Sequence, residues 1–222
     1  MGVAERGPGV QGGEDDEGVQ HDLFDWSVDG DQLWACLVEC AGADVPATDT
    51  SLAIAAVRQA RRTGLGLLDQ VACVDDVLAR AGAVDHLRAV FLLSSCRTTE
   101  VDVVVAGAPR LWTSGGTAAP VERVHLPPGP LLGNHGVRTV HTVDLAPGAA
   151  VVALSDGVMA AGVHTGRGIT GADITRLIAS AATTQDVPRA LLEEVRRREA
   201  STGLPDDATC LVLGRDGPAE QA

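Results

Sequence analysis

Apolar and polar positions alternate with a period of two from Gln20 to Val28 and again from Asp31 to Cys40, around an Asp29-Gly30 pair. Strand periodicity on both sides of Asp-Gly predicts a β-hairpin. If that pair forms the turn, Asp22 faces Leu37 and Val38 faces His21, which leaves Asp22 and Glu39 as diagonal neighbours on one face. The spacing then changes to that of helices over Thr48 to Thr63 and Gly66 to Ala81. Thr and Asp open the first, and a glycine follows each, at 64 and 82, where a left-handed helix end needs one. In the second, Leu67, Leu68, Val71, Val74 and Leu78 share a face.

Strand-like runs follow at Leu87 to Ser95, Glu100 to Ala106, Arg110 to Thr113, Val121 to Leu126, Val137 to Leu145 and Ala149 to Ser155, parted by short Gly, Pro and Asn turns. Two further helices, Ala172 to Thr183 and Val187 to Ala200, precede a last strand from Ala208 to Gly214. Strands joined by turns, with helices arriving in pairs, predict an α+β layered fold with antiparallel sheets rather than a βαβ repeat.

Residues 1–18 combine many glycines with the acidic run Glu14, Asp15, Asp16, Glu17, and too little apolar surface to offset the entropy of ordering. They are expected to form a flexible arm, residues 19–215 one domain, and residues 216–222 a tail. With 45% hydrophobic and 21% charged residues in a chain of 222, a sizeable core is affordable without disulfides. The net charge of -13, with arginine as the only strong base, repels nucleic-acid backbones. No apolar run is long enough to cross a bilayer, and no leader pattern opens the chain. The odd set Cys36, Cys40, Cys73, Cys96 and Cys210 lacks any CxxC pair. Reduced thiols in a cytoplasmic protein are expected.

Chemistry concentrates in acids at strand ends. Asp22 and Glu39 sit on the hairpin, Asp156-Gly157 follows an apolar run, and Asp206-Asp207 precedes another. Carboxylates so placed suit oxygen-seeking cations such as Mg²⁺ or Mn²⁺, although acids at strand ends are also ordinary turn formers.

The order of these sites carries a resemblance. His21-Asp22-Leu23-Phe24-Asp25-Trp26, Leu37-Val38-Glu39-Cys40-Ala41-Gly42, Ala106-Gly107-Ala108-Pro109, Gly129-Pro130-Leu131-Leu132-Gly133, Leu154-Ser155-Asp156-Gly157-Val158 and Asp206-Asp207-Ala208-Thr209-Cys210-Leu211-Val212-Leu213 follow one another over residues 20–214. They resemble the successive blocks of bacterial PP2C-type protein phosphatases of the SpoIIE/RsbU group. That resemblance implies an α-β-β-α sandwich of two antiparallel sheets flanked by helix pairs, a pair of Mn²⁺ or Mg²⁺ ions, and hydrolysis of phosphoserine or phosphothreonine on proteins. By the matching blocks, Asp22, Glu39, Asp156 and Asp206 are the expected metal-site carboxylates, with the Gly42 carbonyl as a further ligand. The implied partner is a phosphorylated regulatory protein of the anti-sigma-factor antagonist type.

The chain departs from the family pattern at one corner. Glu39 stands for the aspartate that bridges both metals, Ala43 for a histidine, Asp44 for a glycine, and Ala108 for a further histidine. Three readings follow: a metal-dependent phosphatase of full or weakened activity, an impaired pseudophosphatase kept as a binding module in a partner-switching pathway, and an unrelated α+β domain whose acids only form turns. No nucleophile elbow or HExxH motif competes with them. Gly166-Arg167-Gly168-Ile169-Thr170-Gly171 matches a dinucleotide fingerprint, but no parallel strand is expected before it, and Asp186 reads as the cap of the Val187 helix. Trp26, Trp34 and Trp112 are expected to pack in or across strands, and Arg196-Arg197-Arg198 to form a solvated helix end.

Overall fold

The structure, a computed structural model, describes residues 5–6, 22–40, 46–108, 110–115, 119–199 and 207–215. Within the expected single domain they fall into two compact units, one drawn from Asp16–Pro109 and Leu126–Asp144, the other from Met1–Asp15, Arg110–His125 and Leu145–Ala222.

The first unit holds strands β2 (Leu23–Asp29), β3 (Gln32–Cys40), β4 (Leu87–Ser95), β5 (Glu100–Ala106) and β8 (His141–Asp144), which form an antiparallel sheet in that order. Helices α1 (Ala47–Arg61) and α2 (Leu67–Ala81) belong with it. Alternation sends Trp34, Cys36 and Val38 of β3, with Ala89 and Phe91 of β4 and Val104 of β5, to one face. There they form a core with Val57 of α1 and Val71, Val74 and Leu78 of α2. Gly82 closes α2 at φ +77, as its sequence position requires. Helix α1 instead starts after Pro46 with no side-chain cap, so the expected Thr48 cap lies inside the helix.

The hairpin forms in a different register from that expected. Leu23 pairs with Val38 and Asp29 with Gln32, so the turn is Gly30-Asp31 and not Asp29-Gly30. Gly30 has φ +59, so the left-handed conformation falls on the first of the two loop residues, where a type II′ turn wants glycine. The partner of each residue therefore moves by two, which preserves its face but turns diagonal neighbours into direct ones.

In the second unit β1 (Glu5–Arg6), β10 (Thr209–Gly214), β9 (Ala150–Leu154), β6 (Leu111–Gly115) and β7 (Ala119–Val124) form another antiparallel sheet in that order. Glu5–Arg6 thus pairs within the segment expected to be an unstructured arm. Helices α3 (Asp156–Ala160), α4 (Gly171–Ser180) and α5 (Val187–Glu199) complete the unit. Trp112, Val152, Leu154, Cys210 and Val212 pack with Ile174, Ile178, Leu191, Leu192 and Val195.

The glycine-rich run before α4 follows a 3-10 turn at Val163–Thr165 rather than a strand, and Thr170 caps α4 in a reciprocal box with Asp173. Asp186 ends a 3-10 turn, Thr184–Asp186, that leads into α5; Thr183 caps that turn and Asp186 supplies the returning carboxylate. Arg198 also differs from a solvated helix end. Its guanidinium donates to the carbonyls of Arg167 and Gly168 and pairs with Asp173 and Glu194, while the Glu199 carboxylate accepts the Gly162 N–H.

Trp34 and Trp112 are buried as expected, whereas Trp26, on edge strand β2, is 49% exposed. Cys36, Cys40 and Cys210 are buried, Cys73 is half-buried and Cys96 exposed, with no disulfide among them. No helix among the described residues is long and apolar enough to cross a membrane.

Candidate functional site

In the first unit, the register just described sets Asp22 and Glu39 one step beyond the Leu23 and Val38 pair. They are direct neighbours across the hairpin rather than diagonal ones. Both are buried, with 3% and 6% of their surfaces exposed. On its other side Glu39 pairs with Arg88 of β4, whose Nη1 stands 3.9 Å from Glu39 Oε1. Close by in sequence, His86 Nε2 lies 2.8 Å from Oδ2 of Asp49 and ties the first turn of α1 to the start of β4. Gly107, just past β5 at φ +76, lies against the stem of Arg88, since a Cβ there would meet Arg88 Cγ at 2.8 Å.

In the second unit, Ser155 follows the end of β9 at Leu154 and Asp156 begins α3, a helix too short for periodicity to reveal. The buried Ser155 hydroxyl accepts the Thr209 N–H at 2.9 Å, and the Ser155 N–H donates to the Thr209 carbonyl at 3.0 Å. Gly157 lies so close to the next strand that a Cβ would stand 2.0 Å from the Asp207 carbonyl oxygen. These contacts fasten Asp156 to the entrance of β10, where Asp207 is buried. Arg110 Nη2 lies 3.8 Å from Asp156 Oδ2.

Of the expected site residues, Asp22, Glu39 and Asp156 are therefore placed. Gly42 and Asp206 lie outside the described residues, as do His21, Ala43 and Asp44. Sequence reasoning missed Arg88 and Arg110, which no motif marks. It also missed the joining roles of Ser155 and Gly157, although both stand in a block it had singled out.

Buried carboxylates at directly opposed hairpin positions repel each other, and an all-oxygen donor set of this kind suits a hard divalent cation. Soft metals, which favour thiolate or imidazole, are a poorer match.

Solved structures share this architecture. The PP2C phosphatase domain with a regulatory fragment of SpoIIE from Bacillus subtilis superposes with a TM-score of 0.78 at 17% identity, covering 97% of this chain and 62% of that one. The RsbU and RsbW domains of Rv1364c from Mycobacterium tuberculosis give 0.77 at 22% identity, covering 97% and 60%. The SiaA PP2C domain of Pseudomonas aeruginosa gives 0.75 at 22% identity, covering 88% and 80%. The chain thus spans about three fifths of the length of the first two. No curated protein sequence matches it.

The fold is that of the PP2C-type phosphatase domains. The family profile described as Stage II sporulation protein E (SpoIIE) matches residues 29–216. The chain belongs to the SpoIIE family.

Proposed function

We propose that this protein is a metal-dependent serine/threonine protein phosphatase that removes phosphate from a phosphoserine- or phosphothreonine-bearing regulatory protein. The observation that carries the reading is the buried, directly opposed pair Asp22 and Glu39 in a chain of this family. Asp22, Glu39, Asp156 and Asp206, with the Gly42 carbonyl, are the residues that would hold Mn²⁺ or Mg²⁺. A pair of such ions supplies charge neutralisation at the phosphoryl oxygens and a water acidic enough to attack phosphorus.

The chain's own part is positioning. Burial of Asp22 and Glu39 fixes their carboxylates at the end of a three-strand ladder, where neither can swing into bulk water. Ser155 and Gly157 lock Asp156 against the strand that Asp206 precedes. A nucleophilic side chain is not required, in keeping with the missing nucleophile motifs. The partner-switching role, with an anti-sigma-factor antagonist as substrate in the cytoplasm, follows from the family resemblance and forms part of this proposal.

The test is phosphate release from a phosphoserine peptide with Mn²⁺ or Mg²⁺, with and without chelator, beside calorimetric titration of each metal. Release that needs metal and disappears in Asp156→Asn supports the reading. Metal binding without release from any phosphopeptide overturns it in favour of a pseudophosphatase. Since Glu39 is one methylene longer than the family's aspartate, Glu39→Asp is expected to raise kcat/KM; a fall would mean that the surrounding backbone has adapted to glutamate.

A further inference from the structure

We propose that Arg88 is the residue that anchors the phosphoryl group of the substrate in the first unit. The proposal rests on the phosphatase reading and goes beyond it, because no family block includes this position.

Three observations converge on Arg88. Strand pairing places it directly opposite Glu39, with Nη1 at 3.9 Å from Oε1, the outer limit of an ion pair. Its side chain is 30% exposed while that of Glu39 is 8% exposed, so solvent reaches the arginine more readily than the buried carboxylate. Its stem is also seated. The bare backbone of Gly107 leaves room for Arg88 Cγ and Cδ, which a Cβ would meet at 2.8 and 3.3 Å. Gly107 is itself pinned to Gly129, each donating its N–H to the other's carbonyl at 3.0 and 3.1 Å. The arginine thus combines a seated stem, a part-exposed side chain and a position beside a candidate metal ligand.

Charge supplies the need for such a group. A phosphoserine brings a charge of about -1.5 to -2 at neutral pH. It approaches a chain of net charge -13, and a nearby cation offsets part of the repulsion. Arginine suits the task because its planar fork matches two phosphate oxygens at once, which a lysine cannot do.

The alternative role is structural, with Arg88 only holding Glu39 in place, and the two roles separate by measurement. Arg88→Gln and Arg88→Lys are compared with wild type by phosphopeptide kinetics, by Mn²⁺ titration calorimetry, and by titration with inorganic phosphate in the presence and absence of Mn²⁺. Phosphate anchoring requires Arg88→Gln to raise KM and weaken inorganic phosphate binding about tenfold to a hundredfold, with Mn²⁺ affinity unchanged or higher, and Arg88→Lys to recover part of the loss. A drop in Mn²⁺ affinity with unaltered phosphate binding at saturating metal overturns the proposal and makes Arg88 a positioning residue for Glu39. Should wild type release no phosphate at all, the phosphatase reading falls. Phosphate binding that is lost in Arg88→Gln would then still sustain the anion site, and equal binding by both proteins would remove it.

Discussion

Gly157→Ala tests how tightly Asp156 is fastened within its unit. The added methyl would stand 2.0 Å from the Asp207 carbonyl oxygen, 2.7 Å from its carbon and 3.3 Å from the Ala208 nitrogen. All three are backbone atoms, so no side-chain rotation relieves the clash. Restoring ordinary contact means widening the gap from 2.0 Å to at least 3.4 Å, an opening of about 1.4 Å between the start of α3 and the entrance to β10. The two hydrogen bonds between Ser155 and Thr209, at 2.9 and 3.0 Å, span that same gap and would stretch with it. Overpacking costs about 1 to 3 kcal/mol and each of the two weakened bonds about 0.5 to 1.5 kcal/mol, so a loss of about 2 to 6 kcal/mol is expected. For a chain of this size that lowers Tm by about 4 to 24 °C. If Asp156 holds metal as proposed, a shift of 1 Å or more there also lowers kcat/KM about 10²-fold. Thermal melting by circular dichroism and Mn²⁺-dependent phosphate release, on one preparation, read both effects. A variant that melts within a degree of wild type and keeps full activity would refute the close approach and the role given to this joint.

Glu194 is drawn down to about 2, first by its hydrogen bond from Arg197 and then by Arg198, against the upward push of burial. A depressed carboxylate stabilises above its ordinary range and loses that contribution as pH falls from about 4.5 toward about 2. The linkage is at most roughly 3 kcal/mol, less for screening at the exposed Arg197, and urea unfolding should show wild type and Glu194→Gln converging as pH falls through that window. Arg138 donates to both oxygens of the buried Asp75 and to the carbonyls of Val105, Pro130 and Leu131. Burial already pushes the Asp75 carboxyl upward, so Arg138→Ala should lower unfolding free energy by about 3 to 5 kcal/mol, and an unchanged urea midpoint would refute the ion pair's role. Burial, then Asp25, raises the Cys36 thiol far above its ordinary range, so mass spectrometry after native alkylation should show Cys96 labelled and Cys36, Cys40 and Cys210 intact. Millimolar Mn²⁺ should raise Tm by mass action, whereas a chelated protein should remain folded; an unfolded chelated state would contradict a core that forms without metal.

Legibility followed how local each signal was. Strands β4 and β5 begin and end where the apolar pattern places them, because polar residues 97–99 separate two runs long enough to show their period. Helix α2 was legible for a similar reason: a continuous apolar face and a terminal glycine in the left-handed region agree. The hairpin was recognisable but its register was not. Choosing which residue beside Gly30 completes the turn depends on where positive φ falls, and Asp29 and Asp31 offer the same chemistry on either side. The carboxylates at 22, 39 and 156 stood out because each lies at the end of an apolar run. Arg88 did not, because strand pairing alone brings it to Glu39 across 48 intervening residues. Likewise the grip of Arg198 on residues 167–168 joins distant segments that no local period connects.

The corrected register bears directly on what Glu39 is for. Diagonal carboxylates lie about 7 to 8 Å apart by backbone, whereas directly opposed residues have Cβ atoms about 4.5 to 5.5 Å apart, and like charges so placed are destabilising. Burial of both Asp22 and Glu39 sharpens that repulsion, because water screens it less. Arg88, at 3.9 Å from Glu39 and part-exposed, offsets it only in part. A domain that kept this hairpin for packing alone would be more stable with an apolar or amide side chain at either position. Two acids at this place therefore make physical sense when a divalent cation shares their charge, and the extra methylene of Glu39 then alters the geometry of that sharing without removing the donor. Under the proposed phosphatase reading, this arrangement fits activity tuned by ligand geometry better than an abandoned site.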